Sequence, residues 1–218
     1  MIDFENRGPS GGEPLAVRDV SAGSTETSTS ASSHDVLMPT LVEEGDLLLV
    51  FIAIARGSNA TPGASGWTVL FNTDQNSRRG TCLYKIADGT EGGASVTFTT
   101  PSSGERSAHI SFSIAGWTDF DGTSSGYGAS NPDCPTLTFG TSEETIWIVS
   151  VAAAEPEGDP TAPSGYSNTT HTRTSTSTSD DDHVRQSTAR KTSTASSENP
   201  STWTLTDTVS ICGTVGIR

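Results

Sequence analysis

The chain has 218 residues and a formal net charge of −14, from 26 acidic against 12 basic side chains. Nucleic-acid phosphates and anionic membranes are held by clustered Lys and Arg, so this balance excludes both as partners. Hydrophobic residues make up 32 % of the chain, enough for a sizeable core, while 65 of the 218 residues are serine or threonine. No window reaches the ~20 apolar residues of a membrane helix, and the start has no basic flank followed by an apolar block. Cys82, Cys134 and Cys212 are too few and too widely spaced for a disulfide framework or a zinc site. They are expected as small apolar fillers in a protein made in a reducing cytoplasm.

In chain order, residues 1–13 carry Ile2 and Phe4 and then four glycines or prolines, which predicts a flexible N-terminal arm. Residues 14–218 are expected to form a single domain. Leu47 to Ala55 is a continuous apolar run between turn formers and predicts a central strand covered on both faces. Ile146 to Ala154 predicts a second strand of this kind. Alternation marks further strands: Trp67/Val69/Phe71, Cys82/Tyr84/Ile86, Val96/Phe98, Ile110/Phe112/Ile114, Trp203/Leu205 and Ile211/Val215/Ile217. Period two predicts sheets with one wet face. Asp88-Gly89, Asp121-Gly122 and the Gly/Pro stretches at 62–66 and 156–165 predict turns. From Thr169 to Ser197, alternating threonines around Asp180-Asp181-Asp182 predict a solvated hairpin at a rim. Helical periodicity is almost absent, so the fold class is all-β: an antiparallel β-sandwich, jelly-roll-like.

An internal repeat accompanies these strands. A shift of 99 residues lays Leu49–Ala55 on Ile148–Ala154 and Gly66-Trp67 on Gly165-Tyr166. An insertion of eight then lays Val96–Thr99 on Trp203–Thr206. Two similar halves therefore contribute equivalent strands, and neither half alone covers its apolar face.

Residues for chemistry are scattered. No Gly-x-Ser-x-Gly elbow occurs, and His34, His109, His171 and His183 lack zinc-protease spacing. His109 falls on the polar side of its strand and is expected to face solvent. Asp180–His183 and Asp119-Phe120-Asp121-Gly122 are weak cation patterns; the second has Ser130 where a calcium loop needs Glu. Asn59 and Asn168 head formal glycosylation triplets. Trp67, Trp147 and Trp203 lie in core-like strands, whereas Trp117 in Gly-Trp-Thr-Asp is expected to be the freest. The reading is a non-enzyme without catalytic, cofactor or metal residues. Met1, Ile2, Phe4 and Trp117 are its candidate partner contacts. A carbohydrate-binding or adhesin-like module using Trp117 and the Thr-rich hairpin is the alternative.

Several pieces resemble a family of tailed-bacteriophage virion proteins of β-sandwich type, capsid decoration (cement) proteins and related tail proteins. They are Gly45-Asp46-Leu47-Leu48-Leu49-Val50, Gly66-Trp67-Thr68, Tyr84-Lys85-Ile86-Ala87-Asp88-Gly89-Thr90-Glu91, Ala162-Pro163-Ser164-Gly165-Tyr166 and Gly213-Thr214-Val215-Gly216-Ile217-Arg218. The resemblance runs from about Pro14 to Arg218, and the 169–197 segment departs from its compact spacing. It implies a non-enzymatic structural role in the virion, with the major capsid protein as partner and self-association as a homotrimer. Abundant hydroxyls and the acidic charge suit such a protein, because they oppose edge-to-edge pairing before docking.

Overall fold

The computed structural model describes residues 13–25, 32–55, 61–76, 78–101, 106–128, 130–153, 158–174, 183–206 and 209–218. Among them are fourteen strands and no helix. The first half of the chain supplies β1 (Ala16–Thr25), β2 (Ser33–Leu37), β3 (Leu47–Ala55), β4 (Thr68–Gln75), β5 (Arg78–Ile86), β6 (Ser95–Thr99) and β7 (Ser107–Ala115). The second half supplies β8 (Phe120–Tyr127), β9 (Leu137–Thr138), β10 (Thr145–Ala153), β11 (Ser167–Arg173), β12 (Arg185–Ser193), β13 (Ser197–Glu198) and β14 (Ser210–Ile217).

The repeat is visible in the topology. One antiparallel sheet runs β1-β7-β3-β5-β4 and the other β8-β14-β10-β12-β11, so adding seven to each strand number converts the first into the second. The pairs β2-β6 and β9-β13 obey the same rule. Contacts between the large sheets also come in exchangeable sets: β4 meets β8 as β11 meets β1, and β5 meets β14 as β12 meets β7. The halves thus stack about an approximate two-fold axis. The result is a β-sandwich of two similar halves, and nothing in the strand order singles out the jelly-roll winding expected from sequence.

Local chemistry repeats too. Trp67 N–H donates to Ala64 O and Tyr166 N–H to Pro163 O, both at 3.1 Å, closing one turn used twice. Gly66 (φ 80°) and Gly165 (φ 83°) occupy its left-handed position, where a Cβ would be strained. The bridges Gly63·Thr99 and Thr161·Thr204 are likewise equivalent, which places Trp203 on Phe98 rather than on Val96. The insertion in the second half is therefore two residues shorter than the sequence alignment suggested.

Each large sheet is covered on both faces, which explains the two continuous apolar runs. On the inner face, Leu47, Leu49 and Phe51 of β3 share one core with Ile146 and Ile148 of β10 and with Val215 and Ile217 of β14. On the outer faces, Val50, Ile52 and Ile54 pack under Val36, Met38 and Phe98, while Val149, Val151 and Cys212 pack under Trp203 and Cys134. Gly213 lies so close to the Phe71 ring that a Cβ there would collide, so this glycine lets the sheets approach.

Two expectations fail for one reason, the outer cover, and a third for another. β7 is buried along its whole length rather than wet on one face. Its Ser111 hydroxyl donates to Leu37 O and its Ser113 hydroxyl to Asp46 Oδ2, both at 2.7 Å, so burial leaves these groups paired. The 169–197 hairpin exists as β11 and β12, but it is no solvated rim. β12 lies inside its sheet, between β11 and β10, with Arg185 to Ala189 buried. Asp121-Gly122 is no turn either; both residues lie within β8, where Gly122 makes room for the Leu70 side chain.

All three cysteines are buried free thiols. Burial pushes the Cys82 thiol well up, and burial together with the neighbouring Cys134 thiol does the same for Cys212. Thiolate is the reactive form, so Ellman's reagent should find no thiol in the native protein within minutes and three in denaturant.

Candidate functional site

The sequence-derived candidates do not converge. Met1, Ile2 and Phe4 lie outside the described residues, as do Asn59 and Asp180 to Asp182. Trp117 is not free. It is 4 % exposed, its Nε1–H donates to Gly45 O at 2.8 Å, and its ring packs edge-on against Phe120. It therefore offers no ring face to a partner, because the turn after β7 folds back under the 45–46 corner. Asp119 of the calcium-like stretch is bound by the Arg218 guanidinium at 2.8 Å. No group of three or more His, Cys, Asp or Glu side chains suited to a metal exists among the described residues.

His109 is a correction as well. It is 3 % exposed, since the face expected to be wet lies under β2, and His34 of β2 is fully buried beside it. Both nitrogens of His34 and Nε2 of His109 have no hydrogen-bond partner. Burial, with a contribution from His34, depresses His109 from its ordinary 6.5 to about 4; Asp35 opposes this weakly. His34 is also lowered by burial. The unfolded chain then takes up protons before the folded one. Stability is complete above pH 6.5 and declines as pH falls from 6.5 towards 4, by about 3 kcal/mol from His109 alone. Urea midpoints at pH 7 and pH 4.5 should differ accordingly, and His109→Phe should flatten that difference.

A different feature is built like a contact surface. Leu37 at the end of β2 and Leu41 in the following loop are 46 % and 58 % exposed. This loop is held from two sides. Asp19 of β1, turned by a bulge between Val17 and Asp19, accepts N–H bonds from Thr40 at 2.7 Å and Leu41 at 3.1 Å. Burial raises the Asp19 pKa, but the N–H groups of Leu41, Val20 and Thr40 outweigh it and the net shift is downward. From the other side, Met38 N–H donates to Ala94 O and Gly93 N–H to Pro39 O. Below lies Asp46, 3 % exposed, which accepts from Arg18 Nε at 2.9 Å, Ser113 Oγ at 2.7 Å and Glu43 N at 2.9 Å.

Two leucines are thus presented on a fixed frame, beside the exposed carboxylates of Glu43 and Asp88, which are paired with Arg18 at 3.3 Å and Lys85 at 3.1 Å. Pre-ordered exposed apolar groups lose little freedom on docking, which distinguishes them from incidental surface leucines. The second half lacks them: Ser111 donates to Leu37 O as its counterpart Thr214 donates to Pro135 O, so Pro135 corresponds to Leu37, and no exposed leucine follows it there. Sequence reasoning missed this pair because both leucines lie in the mostly apolar stretch 36–42, where nothing separates exposed from buried positions, and only the hydrogen bonds from Asp19 distinguish the loop. Comparison with known protein families, with curated protein sequences and with solved structures finds no match to this chain.

Proposed function

We propose that the protein is a non-enzymatic structural module that docks on a larger protein assembly through the Leu37/Leu41 loop. The observation that carries this reading is the rigid display of two exposed leucines in only one of two halves of the same topology. The chemistry calls for a partner with an apolar socket for the two leucines, since Glu43 and Asp88 beside them already have Arg18 and Lys85 as counter-ions. In the specific form that the family resemblance suggests, the assembly is the head of a tailed bacteriophage. The partner is then its major capsid protein, and the protein is a decoration protein of the virion that associates with itself on the lattice. The carbohydrate-binding alternative needed Trp117 as a platform, and no described observation favours it.

Purified protein mixed with undecorated expanded heads should bind to saturation at a fixed ratio per capsomer. The double variant Leu37→Ser/Leu41→Ser should lose roughly tenfold or more in affinity, since each buried leucine contributes on the order of 1.5 kcal/mol or more. Its melting temperature should hardly move, because exposed positions contribute within about 0.5 kcal/mol to folding. Wild-type protein that ignores heads, or a double variant that binds as before, would refute the reading.

A further inference from the structure

The approximate two-fold axis makes each position in one half comparable with its counterpart, and at one place the halves differ in kind. In the first half, Tyr84 pairs with Thr68 and Leu49; in the second, Arg190 pairs with Ser167 and Ile148. Thr68 and Ser167 each follow the repeated glycine turn by two residues, and Leu49 and Ile148 are 99 apart, so Tyr84 and Arg190 are equivalent. By the same pairing logic Phe120, opposite Ile217, is equivalent to Val17, opposite Ile114.

On the first side the gap between the sheets is filled. The Tyr84 and Phe120 rings meet edge to face at 4.8 Å, and Leu70, thrown inward by the bulge between Val69 and Phe71, packs beside them. On the second side Arg190 and Val17 replace the two rings, and the bulge between Ser167 and Thr170 carries Asn168 and Thr169. A cavity of about 250 Å³ results, bounded by Leu15, Val17, Ile146, Ser167, Asn168 and Arg190. It is open to solvent and holds the volume of about eight waters.

The charge pattern of this cavity is unusual for a chain of net charge −14. No acidic residue lines it. Lys191, next along β12, is already neutralised by Glu198 at 2.7 Å on the outer face, over the Tyr166 ring. The guanidinium of Arg190 makes no ion pair with any described residue, and partial burial lowers its pKa, as expected of a cation without a counter-ion. A half-buried arginine in a cavity whose accessible lining is mostly polar, with Ser167 and Asn168 beside it, matches one ligand chemistry. A carboxylate takes two parallel N–H bonds from a guanidinium, and a short alkyl chain finds the small apolar share of the lining at Leu15, Val17 and Ile146.

We propose that this cavity is a binding site for a small organic carboxylate, its head on Arg190 and the rest of it between the sheets. The site owes nothing to the docking loop, which lies on the outer face of the first half. Hexanoate is the probe. Titrated into the ¹⁵N-labelled full chain, it should produce saturable shifts at the amides of Ser167, Asn168 and residues 190–192, with a Kd in the millimolar range or tighter, about what one charge-assisted pair and a short tail supply. Hexanol, with the same tail and no charge, should bind at least about tenfold more weakly. Arg190→Gln should weaken hexanoate by a similar factor. Arg190→Tyr, which places the first half's own filler in the cavity, should abolish binding while leaving the spectrum of the remaining sheet intact. Absence of saturable shifts, equal binding of hexanol and hexanoate, or undiminished binding by Arg190→Tyr would each overturn the proposal.

Discussion

Phe51→Ala is expected to lower the stability by about 3–5 kcal/mol, the usual cost of removing a fully buried aromatic ring. Phe51 is 1 % exposed at the middle of β3, with the Phe112 ring at 5.8 Å and the Phe71 ring at 6.3 Å. It also belongs to the core that contains Ile148 and Val215 of the opposite sheet. The inner faces of both halves are apolar, so separating them would expose a surface that neither half can cover otherwise. The loss should therefore appear in both halves. Native-state hydrogen exchange should accelerate at the β10 amides as much as at those of β3, and urea unfolding should remain a single transition. If β10 kept its protection while β3 lost it, the halves would be separate folding units and the shared core would be incidental.

How far the fold could be read from sequence depends on which layer a residue meets. The runs at 47–55 and 146–154 announce burial on both faces because nothing polar interrupts them, and β3 and β10 do occupy the centres of their sheets. Strands such as β7 mislead. A Ser or His at every second position looks the same whether that face meets water or a second layer that accepts its hydrogen bonds. The hydroxyls of Ser111 and Ser113 have such acceptors, as does Thr214 in the equivalent strand β14, which donates to Pro135 O at 2.7 Å. β12 misleads further: Ser187 and Gln186 are buried yet satisfied by His171 and by backbone carbonyls, a solution that depends on register and leaves no trace in composition.

The two surfaces of functional interest were less legible still. Leu37 and Leu41 are two leucines among many until Asp19, some twenty residues earlier, is seen holding their loop. Arg190 gains meaning only by comparison with Tyr84, and that equivalence rests on strand pairing rather than on any similarity between the residues. Trp117 failed in the opposite direction. Flanking glycine and threonine resemble a loop tip, but Gly116 takes a φ of 67° and turns the chain inward, so that the indole meets Gly45 O.

Under the docking role proposed above, Asp46→Ala should damage both stability and binding. Its carboxylate is 3 % exposed and gathers a guanidinium, a hydroxyl and a backbone N–H. Removing one partner of a buried charged cluster leaves the others unpaired, a loss of about 3–5 kcal/mol. Arg18 keeps its bond to Glu13 at 2.9 Å, so part of its charge remains compensated and the lower end of that range is expected. Thermal or urea denaturation at pH 7 measures this loss. The same change frees Glu43 N–H and the corner that anchors the 38–45 loop, so Leu41 should lose its fixed position and affinity for heads should fall together with stability. Asp46→Asn keeps the shape and one acceptor, and should recover more of the folding loss than of the binding loss, because ordering of the loop depends on the charge held between Arg18 and Glu43 N–H. If the two variants lost binding strictly in proportion to stability, the loop would be a passive passenger of the fold, and the leucines would dock without needing to be held.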